Sequence, residues 1–219
     1  MVRTRTRISV HELRQSRILE PGCIVAFTGR SCLARAIRVC TCGGKSHAAL
    51  LADDLTVDRL LLYESSMSSD TTGLTAQRRV KGVQDHEPMR YLRRHLAAGG
   101  KAWIYRPVQP LTMAERLRLA YACRDSLGTP YDWRGAWRVR VIGFGWLVRL
   151  IERRHPAWLR WLLPDVEHNG RLFCNEAVAV WLRIVGRLKR ESASRYSPST
   201  FLRAQVEDGL YQKPVEVVR

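Results

Sequence analysis

The chain has 219 residues, 46% of them hydrophobic, enough to bury a sizeable core and to exclude a disordered polymer. Its 37 Lys+Arg against 20 Asp+Glu give a net charge of +17, which points to an anionic neighbour (nucleic acid, acidic lipid or an acidic polymer such as cell wall) or simply to a basic soluble protein. The six cysteines lack the dense spacing of a secreted disulfide scaffold and read as reduced thiols.

The first eighteen residues alternate arginine with polar and short apolar residues and contain no signal-peptide core. Residues 1–19 therefore read as an N-terminal extension. The longest apolar candidate, Val139 to Leu163, is broken by arginines and by Pro156, so no transmembrane helix is expected. The expected location is the cytoplasm, with peripheral membrane association as an option.

Glu20-Pro21-Gly22 is a turn signal, and Cys23 to Phe27 after it reads as a short strand. Ser31 reads as the cap of a helix over Cys32 to Cys42, stopped by Gly43-Gly44. Cys40, Cys42 and nearby His47 lack the spacing and the second ligand pair of a zinc site, so neither a metal nor a cofactor is expected. His47 to Leu51 and Leu60 to Glu64 are two apolar strands, the first opening on a histidine and the second closing on a carboxylate. A hairpin folded about Leu55 and Thr56 would set His47 directly opposite Glu64, about 5 Å apart at Cβ, where the carboxylate would hold one imidazole nitrogen. The alternative is a satisfied strand-edge histidine and a solvated strand end.

Further strands are expected over Val80 to Asp85 and Lys101 to Arg106, with a basic helix from Glu87 to Leu96 between them. Thr112-x-x-Glu115 is a capping box opening a helix to Leu127. His86 and His95 read as surface residues. Tyr131, in the turn Gly128-Thr-Pro-Tyr-Asp-Trp133, either packs or faces a site as an oxyanion donor.

Between Trp133 and Leu163 stand five of the seven tryptophans, interleaved with seven arginines. That pattern, taken as an insertion over residues 134–168, suits a helix in an anionic membrane interface or an amphipathic helix packed on the domain. No sequence-specific nucleic-acid motif accompanies the charge, so no specific nucleic-acid partner is expected. After it, Cys174 opens an apolar segment of helical spacing running to Val185. A thiol at a helix start meets the positive end of the helix dipole, which favours the thiolate. The alternative for Cys174 is a small buried hydrophobe. A last short helix spans Phe201 to Val206, and residues 207–219 read as a tail that contributes little.

Taken together, the strand Gly22 to Phe27, the Ser46-His47 strand, Tyr63-Glu64, Leu127-Gly-Thr-Pro-Tyr-Asp132 and Phe173-Cys174-Asn-Glu176 resemble the circularly permuted papain-like hydrolases, which include the bacterial NlpC-type cell-wall peptidases and the lecithin-retinol acyltransferase-like enzymes. The resemblance runs from about Gly22 to Thr200. It implies an α+β fold over residues 20–206, with a small antiparallel sheet or half-barrel packed against helices. It also implies Cys174 as nucleophile, His47 as general base and then acid, Glu64 as the group orienting the imidazole, and Tyr131 near the oxyanion. Two departures stand out. Gly22-Cys23 replaces the usual Gly-Asp of the first strand, and Asn175 replaces the usual serine after the nucleophile.

The expected activity is that of a cysteine hydrolase forming a thioester acyl-enzyme from an amide, in a peptide or peptidoglycan-like substrate. A lipid-directed thiol acyltransferase or hydrolase, and a non-catalytic binding module of the same fold, are the alternatives.

Overall fold

The computed structural model describes residues 7–28, 44–67, 73–75, 81–136, 170–188 and 197–219. The helix expected over 32–42 and nearly all of the Trp/Arg segment lie outside these residues.

The fold is α+β. Its frame is a seven-stranded open sheet in the order β1-β7-β6-β2-β3-β4-β5, formed by β1 (Arg7–Ser9), β2 (Ile24–Thr28), β3 (His47–Asp53), β4 (Leu60–Ser66), β5 (Gly82–His86), β6 (Lys101–Tyr105) and β7 (Val215–Val218). All pairings are antiparallel except β1 with β7. Helices α1 (Val10–Gln15) and α2 (Pro88–Ala97) cover one face. Helices α3 (Met113–Asp125), α4 (Cys174–Ile184) and α5 (Pro198–Glu207) cover the other.

Coverage on both sides explains why β2, β3 and β4 read as continuous apolar runs rather than alternating ones. Successive side chains still point to opposite faces. Ala48, Leu50 and Ala52 join the α4 core, while Ala49 and Leu51 join the α2 core. Within α4, Ala177, Val178, Trp181 and Leu182 are buried, and the Trp181 indole N–H donates to Ser126 Oγ at 3.0 Å. Burying one such aromatic is worth about 3 kcal/mol or more, so the helix that begins at Cys174 is anchored by its own second half.

The capping box at Thr112 and Glu115 forms as expected. The helix expected over Glu87 to Leu96 is α2, capped by the Glu87 carboxylate, which accepts the N–H of Met89 and Arg90. The strand expected from Val80 is β5, and begins at Gly82.

Both chain ends belong to the sheet, which corrects the reading of residues 207–219 as a minor tail. Strand β7 pairs β6 on one side and β1 on the other, with Val217 and Ile8 buried. The Tyr211 hydroxyl, itself buried, donates to the Gly22 carbonyl at 2.8 Å and ties the C-terminal segment to the entry of β2. The short polar-apolar runs at each end carried too little periodicity to reveal strands that exist only because they pair with each other and with β6.

One glycine sets the position of a loop used below. Gly82 has φ +148°, and a Cβ there would fall 2.1 Å from the Thr129 carbonyl oxygen. Lacking one, β5 lets residues 128–130 close on its edge, with Val83 N–H donating to Thr129 O at 2.9 Å and Gly128 N–H to Val83 O at 3.0 Å.

Candidate functional site: a thiol, an imidazole and a buried carboxylate

The residues Asp54 to Arg59 decide the hairpin register. Asp54 N–H donates to Arg59 O, and the Asp54 carboxylate accepts from Thr56 N–H at 2.9 Å and from the Arg59 guanidinium at 2.7 Å. This closed turn pairs Asp53 with Leu60, and therefore Ala49, not His47, with Glu64. The directly opposed pair expected from the sequence is thus corrected by two residues. A two-residue shift preserves the face, because side chains alternate with period two. His47 and Glu64 remain diagonal neighbours, and their long side chains span the diagonal. His47 Nε2 and Glu64 Oε2 are 2.5 Å apart.

Glu64 is 1% exposed and is the hub of the site. Its Oε2 meets His47 Nε2 and also accepts the Tyr91 hydroxyl at 2.8 Å. Its Oε1 accepts Gln84 Nε2 at 3.2 Å and lies 3.1 Å from His86 Nε2. Burial by itself raises a carboxyl pKa, but the His47 charge and the hydrogen bonds from His47 and His86 reverse that and hold Glu64 well below the usual carboxylate range. For His47, burial disfavours the cation, while the Glu64 carboxylate, together with hydrogen bonds to Cys174 and Glu64, raises the imidazole to about 10. Tyr91 is pushed up by burial and by the Glu64 charge, so it stays a neutral donor.

The Cys174 thiol lies near enough to His47 to help raise the imidazole, and completes the array. Because Nε2 faces Glu64, Nδ1 is the nitrogen left for the thiol. Cys174 is the first residue of α4, with Phe173 as N-cap in extended conformation. Glu176, buried one turn in, accepts the Phe173 N–H at 3.2 Å and fixes the helix entry. Asn175 Oδ1 lies 3.7 Å from the Cys174 sulfur. Cys174 itself is 5% exposed, whereas the His47 side chain is 20% exposed, so the open edge of the site lies on the imidazole.

The segment leading to Cys174 is held by its carbonyls and amides. Leu172 N–H donates to Pro130 O at 3.1 Å, and Leu172 O accepts Asp132 N–H at 3.2 Å and the Ser65 hydroxyl at 2.6 Å. Tyr131 bridges Leu172 and packs against Phe173 and Cys174. All four residues singled out in the sequence therefore come to one place: Cys174, His47, Glu64 and Tyr131.

Five others were missed: Gln84, His86, Tyr91, Ser65 and His95. His86, read as a surface residue, is 5% exposed and bound to Glu64. The signal available was Gln84 and His86 two apart on β5, which places them on one face. Tyr91 and Ser65 gave no such signal, since their roles depend on how α2 and the 170–173 segment dock. His95, also read as surface, is half-buried with its ring edge-on to Phe27 at 4.9 Å, and Nε2 is 3.3 Å from the Thr28 carbonyl oxygen. Burial lowers its pKa.

Three features bear on other ligands and surroundings. Among the described residues no group of three or more His, Cys, Asp or Glu side chains is arranged to hold a metal ion. Cys23 and Cys123 are fully buried with raised pKa values, Cys23 to about 12, which marks them as structural thiols. Among the described residues no helix is long and apolar enough to cross a membrane.

No family model matches the chain. No curated protein matches it either. Among solved structures it is similar to the metalloprotein YiiX from Escherichia coli O157:H7, described as DUF1105, with a TM-score of 0.50 and 15% identity over 78% of this chain and 68% of that one. At that identity the likeness is one of fold.

Proposed function

We propose that the chain is a cysteine hydrolase of the permuted papain-like kind, acting on an amide bond through a thioester at Cys174. The observation that carries this reading is an imidazole held at 2.5 Å by a buried carboxylate, with the Cys174 thiol among the groups that raise it. A packed core has no need of this combination, because a buried carboxylate and a buried cation each cost several kcal/mol to desolvate.

The raised His47 pKa favours the imidazolium at rest, and attack requires Cys174 in its thiolate form. The thiolate attacks the carbonyl carbon, forming the C–S bond and moving the π electrons to oxygen. Tyr131 and the backbone N–H groups at the start of α4 are the nearby donors for that oxyanion. Collapse breaks the C–N bond as His47 gives its proton to the departing amine. A water then attacks the thioester, passing a proton to His47, and releases the carboxylic acid and Cys174. A peptide of cell-wall type is the substrate class that the family resemblance suggests.

Two other readings each have one observation in their favour. Trp133 is 51% exposed with the Arg134 guanidinium 5.6 Å from its ring, which suits an anionic lipid surface and a lipid acyl donor. The burial of Cys174 suits a non-catalytic module. Mass spectrometry after incubation with muropeptides, phospholipids or iodoacetamide separates them. The hydrolase reading expects labelling of Cys174 ahead of the other five thiols, an acyl adduct from muropeptides, and no turnover by Cys174→Ala. An adduct from phospholipid alone supports the lipid reading, and equal labelling of all six thiols supports the binding module.

A further inference from the structure

The carboxylate of Glu64 has four lone-pair directions, and four side chains occupy them: His47 and Tyr91 on Oε2, Gln84 and His86 on Oε1. A carboxylate held on one oxygen alone can rotate and swing. Held on both, it presents one fixed edge to each neighbour. The two partners on Oε1 come from one strand, since Gln84 lies opposite Glu64 in the β4–β5 pairing and His86 follows two residues on, on the same face. Their arm is also shielded from water, with Gln84 1% and His86 5% exposed.

From this geometry we infer that His86 is a positioning residue that extends the array to Cys174–His47–Glu64–His86, locking Glu64 so that His47 keeps its proton on Nε2 and turns Nδ1 to the thiol. The inference rests on the hydrolase reading for its catalytic consequence, but not for the tautomer it requires. An ionised Glu64 can only accept, so His86 must carry a proton on Nε2. A bare Nε2 lone pair 3.1 Å from Oε1 would repel it. The groups around the His86 ring agree with this assignment. Tyr91 of α2 lies against it with ring centroids 4.8 Å apart and spends its hydroxyl on Glu64. Glu87 next in sequence spends its carboxylate on the cap of α2 and is not a competing acceptor. Leu62 stands opposite on β4, and His47 lies beyond Glu64 on β3.

The role differs from mere packing in what rescues it. His86→Gln keeps an N–H at the Nε2 position, whereas His86→Phe fills the space and removes the donor. The experiment measures iodoacetamide alkylation of Cys174 from pH 5 to 10 in the full-length protein and both variants, with circular dichroism as the folding check. His86→Phe is expected to slow alkylation about tenfold at neutral pH and to displace its pH profile, the scale on which losing a partner that orients a histidine acts at metal sites, while His86→Gln stays within about threefold of the parent. A folded His86→Phe protein with the parent's rate and profile overturns the inference. So does a His86→Gln protein as impaired as His86→Phe.

Nitrogen-15 NMR of the histidine side chains in the unsubstituted protein keeps the inference testable if His86→Phe does not fold or if Cys174 proves unreactive. An Nε2–H on both His47 and His86, both lost or shifted in Glu64→Gln, supports it. A His86 protonated on Nδ1 alone overturns it. Failure of the hydrolase reading would appear separately, as a parent protein in which Cys174 reacts no faster than the other thiols.

Discussion

Glu64 and Ser65 are neighbours on β4 and hold opposite halves of one site. Glu64 faces α2 and holds His47 at 2.5 Å, while Ser65 faces the other side of the sheet and donates to the Leu172 carbonyl at 2.6 Å, two residues before Cys174. Period-two alternation in a single strand thus sets imidazole and thiol relative to each other across the sheet. A shift of β4 by one residue would exchange the two roles and lose both.

Removal of the Glu64 side chain is expected to cost far more than the loss of one hydrogen bond. Glu64→Ala leaves His47, His86, Gln84 and Tyr91 without their shared acceptor in a site where Glu64 is 1% exposed. Urea unfolding should show a destabilisation of about 3 kcal/mol or more. Glu64→Gln keeps the shape but introduces an N–H that faces at least one donor, and it should fall between Ala and the parent in stability while still abolishing preferential alkylation of Cys174. Parent-like alkylation in folded Glu64→Gln would show that the charge on Glu64 has no part in activating the thiol.

Ser65→Ala tests the other half of the strand. Ser65 is fully buried, and its loss leaves the Leu172 carbonyl with Asp132 N–H as its remaining donor in this array. The expected cost in stability is about 1 kcal/mol, and the expected fall in Cys174 alkylation or turnover is larger than that figure would produce, because the segment entering α4 loosens at the thiol. Ser65→Thr retains the hydroxyl and should recover part of the rate. Equal rates for Ala, Thr and parent would remove Ser65 from the positioning of Cys174.

The His47–Glu64 pair gives stability a pH window. His47 is raised from 6.5 to about 10 by its partner, so its contribution is fully present below about pH 6.5 and is lost as pH rises toward 10. Glu64 is depressed from 4.5, so its contribution is fully present above about pH 4.5 and is lost as pH falls below that value. The difference in urea midpoint between the parent and Glu64→Gln should therefore be greatest between about pH 4.5 and 6.5 and shrink on both sides. Taking the difference removes most of the general effect of the +17 net charge, since Glu64→Gln adds only one unit to it. A difference that is flat from pH 4 to 10 would contradict a charged pair.

Much of the site was legible in the chain because its pieces are local. An apolar run opening on His47, another closing on Glu64 and a helix beginning at Cys174 are all set by neighbouring residues, through strand alternation and helix-entry chemistry. The same is true of the Thr112–Glu115 capping box, whereas the α+β class was implied by the family resemblance. Hairpin register was misjudged by two residues because it depends on how Asp54 ties the turn to Thr56 and Arg59, a hydrogen-bond pattern that composition does not fix. His47 and Glu64 still met because an even shift keeps the face.

Tertiary structure alone decided the rest. Tyr91 reaches Glu64 because α2 docks over β4, His86 because β5 adds to the sheet edge, and Ser65 because the 170–173 segment returns to the far side of the same strand. The two chain ends became strands for the same reason, since β1 and β7 are stable only beside each other and β6. Sequence determined which groups are present and which face of their own element they take. Which four donors converge on one carboxylate was set by long-range packing, because burying Glu64 is favourable only where every lone pair finds a hydrogen.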